Sequence, residues 1–125
     1  MKEIIKTGLP ANVPISQAVR AGELIFVSGQ VPVDPDTNEF VNGDITCQTK
    51  IVLERIERIL EAAGSSLKDV VKVTVFLTNI NDFAEMNQVF KEYFPVDPPA
   101  RSCFEIKLAI DAKVEIEAIA YAPKK

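Results

Sequence analysis

Two stretches of the chain carry apolar residues at helical spacing, and the runs between them alternate or cluster like strands. From Ile45 to Ala63, the residues Ile45, Val52, Ile56, Ile59, Leu60 and Ala63 share one face, with Thr49 filling it. Glu54, Glu57, Arg58 and Glu61 fall largely opposite. Asp44 is a good N-cap, and Gly64 a good C′ residue. Cys47, in the first turns, reads as incidental packing. The second helix carries Phe83, Met86, Val89, Phe90 and Phe94 as a core-packing stripe, with Asn87 beside it. Asp82 and Glu85 have capping-box spacing, and Pro95 ends the helix.

The strands follow from period two. Val70–Leu77 should turn Val71, Val73, Val75 and Leu77 to one side and Lys72, Thr74 and Phe76 to the other. Val114–Tyr121 places Val114, Ile116, Ala118 and Ala120 opposite Glu115, Glu117, Ile119 and Tyr121. Arg101–Leu108 points Arg101, Cys103 and Glu105 one way and Ser102, Phe104 and Ile106 the other. Leu24–Val27 is a continuous apolar run, which predicts a strand buried on both faces and ending in Ser28-Gly29-Gln30. Residues 2–6 suit an edge strand, 16–20 an extended segment, and 21–23 a turn. Residues 31–43 read as a loop holding a short strand at 39–41. The order is strands, helix, strand, helix, strand, strand, with each helix joining strands that can lie parallel. This is a single α+β domain over 1–125, with a mixed sheet of about six strands and two helices on one face. Nothing is left to cover the other face, so a homo-oligomer is expected.

Composition narrows the chemistry. Of 125 residues, 47% are hydrophobic and 26% charged, with net charge −4, which is globular and argues against a nucleic-acid partner. There is no histidine, so serine–histidine and cysteine–histidine nucleophile systems are excluded. Cys47 and Cys103 lack metal-ligand spacing. No leader-like or membrane-spanning run is visible, and a cytosolic protein is the expectation.

One stretch concentrates candidate chemistry. Pro98-Pro99-Ala100 pins the chain just before Arg101. A guanidinium held there either pairs with an internal acid or clamps a ligand carboxylate or phosphate. Glu115 and Glu117 share a face of a strand that can pair with the arginine's own. They are half of an ion-pair network, or one of them orients a water for attack on an electrophilic carbon.

The segments Pro99-Ala100-Arg101-Ser102-Cys103-Phe104-Glu105 and Val114-Glu115-Ile116-Glu117-Ala118 resemble the signature of the RidA/YjgF family of reactive intermediate deaminases. Ser16-Gln17-Ala18, Val27-Ser28-Gly29-Gln30-Val31-Pro32, Asn42-Gly43-Asp44-Ile45, Lys72-Val73-Thr74-Val75-Phe76-Leu77 and Phe83-Ala84-Glu85-Met86-Asn87 resemble further family blocks in order. The resemblance implies a chorismate-mutase-like fold and a homotrimer around a central barrel, with sites between subunits. It implies hydrolysis of 2-aminoacrylate/2-iminopropanoate and 2-aminocrotonate/2-iminobutanoate to 2-keto acids and ammonia, without metal or organic cofactor. By resemblance Arg101 binds the substrate carboxylate and Glu115 positions water, with Glu117 as the alternative. Cys103 contributes backbone contacts, Ser28 and Gly29 form the wall, and Asn87 lies near the cleft. Two departures stand out. Ile15 replaces a tyrosine that lines the pocket in many members, and the turn at Leu108-Ala109 is one residue shorter. A non-catalytic module binding small carboxylates is the second reading. The ribonuclease and translation-inhibiting activities attributed to some relatives are the third.

Overall fold

The structure, a computed structural model, describes residues 1–123. Six strands form one sheet: β1 (Glu3–Ile4), β2 (Ala18–Ala21), β3 (Leu24–Gln30), β4 (Val70–Leu77), β5 (Ala100–Glu105) and β6 (Val114–Tyr121). Their order across the sheet is β1-β2-β3-β6-β4-β5. Among the described residues only β4 and β5 pair in parallel. Because β3 and β4 both run antiparallel to β6, they run parallel to each other. Each helix therefore joins parallel strands, as expected: α1 (Ile45–Ala62) links β3 to β4, and α2 (Phe83–Tyr93) links β4 to β5.

Local chemistry explains the ends of α1. The Asp44 carboxylate accepts from the Cys47 backbone N–H at 2.8 Å. At the other end Gly64 takes φ +77°. The N–H groups of Gly64 and Ser65 then reach back to the carbonyls of Glu61 and Leu60. Arg20 adds a charged donor to the Ala63 carbonyl at 3.1 Å. The capping box expected at α2 does not form, since the Asp82 side chain makes no capping bond. A short 3-10 turn at Ile80–Asp82 leads into α2 instead, with the Asn79 side chain accepting from the Asn81 N–H.

Both helices cover the sheet face carrying Ile25, Val27, Val73, Val75, Leu77, Val114 and Ile116. The opposite face keeps Leu24, Phe26, Phe104 and Tyr121 exposed. Leu24–Val27 is therefore buried on one face only, with Ile25 and Val27 in the core. Its apolar run arises because the open face is apolar too. In β4 the register shifts between Val70 and Lys72. This bulge buries Val70 and leaves Val71 exposed, against the simple alternation. β5 stops at Glu105, short of Leu108. The expected strand at 39–41 reduces to one bridge between Val33 and Phe40. Most consequentially, β6 pairs with β3 and β4, so β4 separates it from the strand of Arg101. No helix among the described residues is long and apolar enough to cross a membrane.

Candidate active site

The structure sorts the expected site residues into two groups. The first surrounds Arg101. Asp97, at φ 47°, turns the chain into Pro98-Pro99, and Arg101 is the second residue of the edge strand β5. Its register partner Val73 is buried on the helix-covered face, so Arg101 points toward α2. The guanidinium carbon stands 4.8 Å from the Phe90 ring centroid and 5.6 Å from that of Phe83. One nitrogen lies 3.8 Å from the Met86 sulfur. These contacts immobilise the cation by packing and by attraction to the ring faces. Among the described residues no acid pairs with Arg101.

Arg101 lines a cleft of about 290 Å³ with Asn87, Phe90, Lys91, Phe94, Pro98 and Pro99. The lining holds two cations and no acid. The Asn87 Oδ1 atom is buried and accepts no hydrogen bond. The cleft thus offers charged donors for an anion. Cys103 is half-buried against the core. Burial pushes its thiol up, outweighing the opposite pull of Arg101, so the thiolate is disfavoured.

The second group surrounds Glu115. Between the pairs Val27–Ala118 and Gln30–Ile116, β3 sets Ser28 and Gly29 against the single residue Glu117. The Glu115 carboxylate fills the space over this bulge. A Cβ built on Gly29 would stand 2.1 Å from Glu115 Oε2. The Ser28 hydroxyl donates to the Ser16 carbonyl at 2.6 Å, so it offers a ligand only its lone pairs. Ile15, next to Ser16, is exposed. Burial raises the Glu115 carboxyl above the usual glutamate range, and the Glu117 charge on the same face adds to it.

Within one chain the two groups lie on opposite faces of the sheet. Glu115 is in register with Phe76, which stacks on Phe104 on the open face, whereas Arg101 faces α2. One chain therefore does not bring Arg101 and Glu115 into a shared cleft.

Sequence reasoning treated Phe83, Met86 and Phe90 as core alone. Three of the stripe's residues also seat Arg101, and Phe83 is exposed. Gln30 and Arg55, both buried behind the bulge, were missed. The available signal was an arginine inside the buried arc of α1, set between Val52, Ile56 and Ile59. Among the described residues no group of three or more His, Cys, Asp or Glu is placed to hold a metal.

Comparison with known proteins places the chain in a family. The family model described as Endoribonuclease L-PSP matches residues 6–122. A RutC family protein of Pyrococcus horikoshii is 55% identical over 124 residues, covering 97% of this chain and 98% of that protein. TdcF of Escherichia coli, provisionally named a reactive intermediate deaminase, is 44% identical over 126 residues, covering 96% of this chain and 97% of TdcF. The crystal structure of TdcF with bound serine superposes with a TM-score of 0.88 at 42% identity, covering 95% of this chain and 98% of that one. That of RidA from an Antarctic Psychrobacter gives 0.90 at 41% identity, with 95% and 98% covered. With a family match over nearly its whole length and relatives of this similarity, the chain belongs to the YjgF/RidA family.

Proposed function

We propose that this protein hydrolyses small enamine and imine acids, such as 2-aminoacrylate and 2-aminocrotonate, to 2-keto acids and ammonia. The observation that carries this reading is the Arg101 cleft. It presents a rigid guanidinium that has no acid partner, with a second cation, Lys91, in the same lining. A 2-imino acid presents the complementary carboxylate. The serine bound in the TdcF structure is likewise a small amino acid.

The chemistry needs only water. The enamine tautomerises to its imine, whose carbon is already electrophilic. Arg101 holds the carboxylate through two parallel hydrogen bonds and fixes that carbon in place. The Glu115 carboxylate takes a proton from water as the oxygen attacks. Returned to the nitrogen, that proton completes the carbinolamine, whose hydroxyl proton then passes to the nitrogen as the C–N bond breaks, releasing ammonia and leaving the ketone. Since Glu115 and Arg101 occupy opposite faces of one sheet, Glu115 comes from a neighbouring copy. The reading is of three copies packed through their open faces around a central barrel, with a site in each cleft between them. The exposed Leu24, Phe26, Phe104 and Tyr121 suit that packing.

The test is keto-acid release from 2-aminoacrylate, generated in situ by a serine or threonine dehydratase, with and without the protein at equal dehydratase flux. Acceleration supports the reading. Release no faster than in buffer overturns it. The apolar Ile15 beside Ser16 favours a second reading, a module that binds keto acids without hydrolysing imines. Saturable keto-acid binding with no acceleration would select it.

The pH profile gives an independent check. The ionised Glu115 is the active form, so the rate is full above its pKa and falls as pH drops through it. Burial and then the Glu117 charge raise that pKa, which places the acid limb above the roughly 4.3 of an ordinary glutamate. Glu117→Gln removes the like charge, and it should move the limb to lower pH with kcat at the plateau retained. A loss of plateau rate in this variant would instead assign the water to Glu117.

A further inference from the structure

We propose that Arg55 is a positioning residue: through the side-chain amide of Gln30 it fixes the Ser28–Gly29 bulge that seats the Glu115 carboxylate. Its catalytic consequence rests on the function proposed above, whereas its structural part does not.

Arg55 projects from α1 and is 4% exposed. A guanidinium buried there would normally hold an acid, because an isolated buried charge is costly. Among the described residues it has no acid partner. Its bonds go to neutral oxygens, from Nε to Gln30 Oε1 at 2.9 Å and from Nη1 to the Val33 carbonyl at 3.0 Å. Burial accordingly lowers its pKa. An apolar side chain would fill this core position without that cost, so the arginine needs another reason.

The reason lies in the direction of the Gln30 amide. Arg55 has donors only, so the Gln30 oxygen must face it and the Gln30 nitrogen must face away. That nitrogen donates to the Ser28 carbonyl at 2.9 Å and to Gln17 Oε1 at 2.8 Å. Reversing the amide would set donor against donor at Arg55 and acceptor against acceptor at Ser28 and Gln17. The bulge is where the ladder between β3 and β6 is interrupted, so Ser28 depends on partners outside it. Its N–H goes to the Gln17 carbonyl at 2.9 Å, and its carbonyl goes to Gln30. The next residue is Gly29, against which Glu115 packs. The chain of contacts from Arg55 to the carboxylate is therefore unbroken.

The test uses Arg55→Met and Gln30→Glu in the full chain. Gln30→Glu keeps an acceptor for Arg55 but replaces the donor aimed at Ser28, so it carries the test if Arg55→Met does not fold. Two quantities are read: the amide resonance of Gly29, whose nitrogen shares a peptide with the Ser28 carbonyl, and imine hydrolysis. Expected is a moved Gly29 resonance and a fall in kcat of about tenfold, with KM within about twofold because Arg101 is untouched. An unmoved resonance overturns the proposal. So does a moved resonance with full kcat, since the bulge would then shift without consequence for Glu115. If the wild type hydrolyses no imine, the function reading fails and the Gly29 resonance alone decides the positioning.

Discussion

Arg101→Ala is expected to lose about 10³-fold in kcat/KM for imine hydrolysis while the protein stays folded. Each hydrogen bond from a guanidinium to a carboxylate is worth about 1.5–3 kcal/mol, and two are lost together. The alanine also abandons the fork that fixes where the imine carbon sits, so kcat falls along with binding. Stability should change little. Arg101 is half-buried at the start of an edge strand, and it makes no bond that the core requires. Arg101→Lys keeps the charge without the fork and should recover only part of the loss. Steady-state kinetics over a range of dehydratase fluxes measures both. Retention of activity within tenfold in the alanine variant would remove Arg101 from the role assigned to it.

Gly29→Ala is expected to cost about 100-fold in kcat with little change in KM. Gly29 lies outside the positive-φ region, so alanine can adopt its backbone. The obstacle is the space above it, where the new methyl would stand 2.1 Å from Glu115 Oε2 and 2.9 Å from its carboxyl carbon. Those atoms end a flexible side chain, so the carboxylate swings aside and the fold survives. Gly22→Ala is the contrasting control. Gly22 sits at φ +60° in the β2–β3 turn with nothing near its would-be Cβ. It should cost about 1 kcal/mol of stability and no catalytic rate. Kinetics and thermal melting of the two variants together separate a glycine needed for room from one needed for conformation. Equal kcat in Gly29→Ala and wild type would place Glu115 outside the reaction.

How much of this was legible in the sequence depends on distance along the chain. Both helices were, because their signals are local: an apolar stripe of period 3.6, Asp44 before α1 and Gly64 after it. The parallel relation of strands flanking each helix followed from chain reach. Strand neighbours did not, because β6 chooses β3 and β4 through contacts remote in sequence. That choice put Arg101 and Glu115 on different faces, which alternation within each strand could not reveal. Val71 misled because one extra residue at a bulge inverts the pattern before it. At the site, the prolines before Arg101 announced a fixed cation. Its seat on Phe83, Met86 and Phe90 was hidden, because rings that pack a core and rings that hold a cation share one spacing. Ser28-Gly29-Gln30 marked the end of the Leu24–Val27 run, yet nothing local indicated that a glutamate fills the room Gly29 leaves.

The position of β6 also bears on how the molecule comes into being. This strand follows all the others in sequence and yet lies inside the sheet, between β3 and β4. Until it inserts, those two strands present bare edges toward each other, and closing the sheet must await contacts of long sequence separation. Folding dominated by such contacts is slow compared with that of helical bundles. Glu115 rides on the same strand, and its carboxylate reaches Gly29 only when β6 is home. Completion of the sheet and placement of Glu115 over Gly29 thus go together, so a molecule lacking β6 in its sheet carries Arg101 without a seated Glu115.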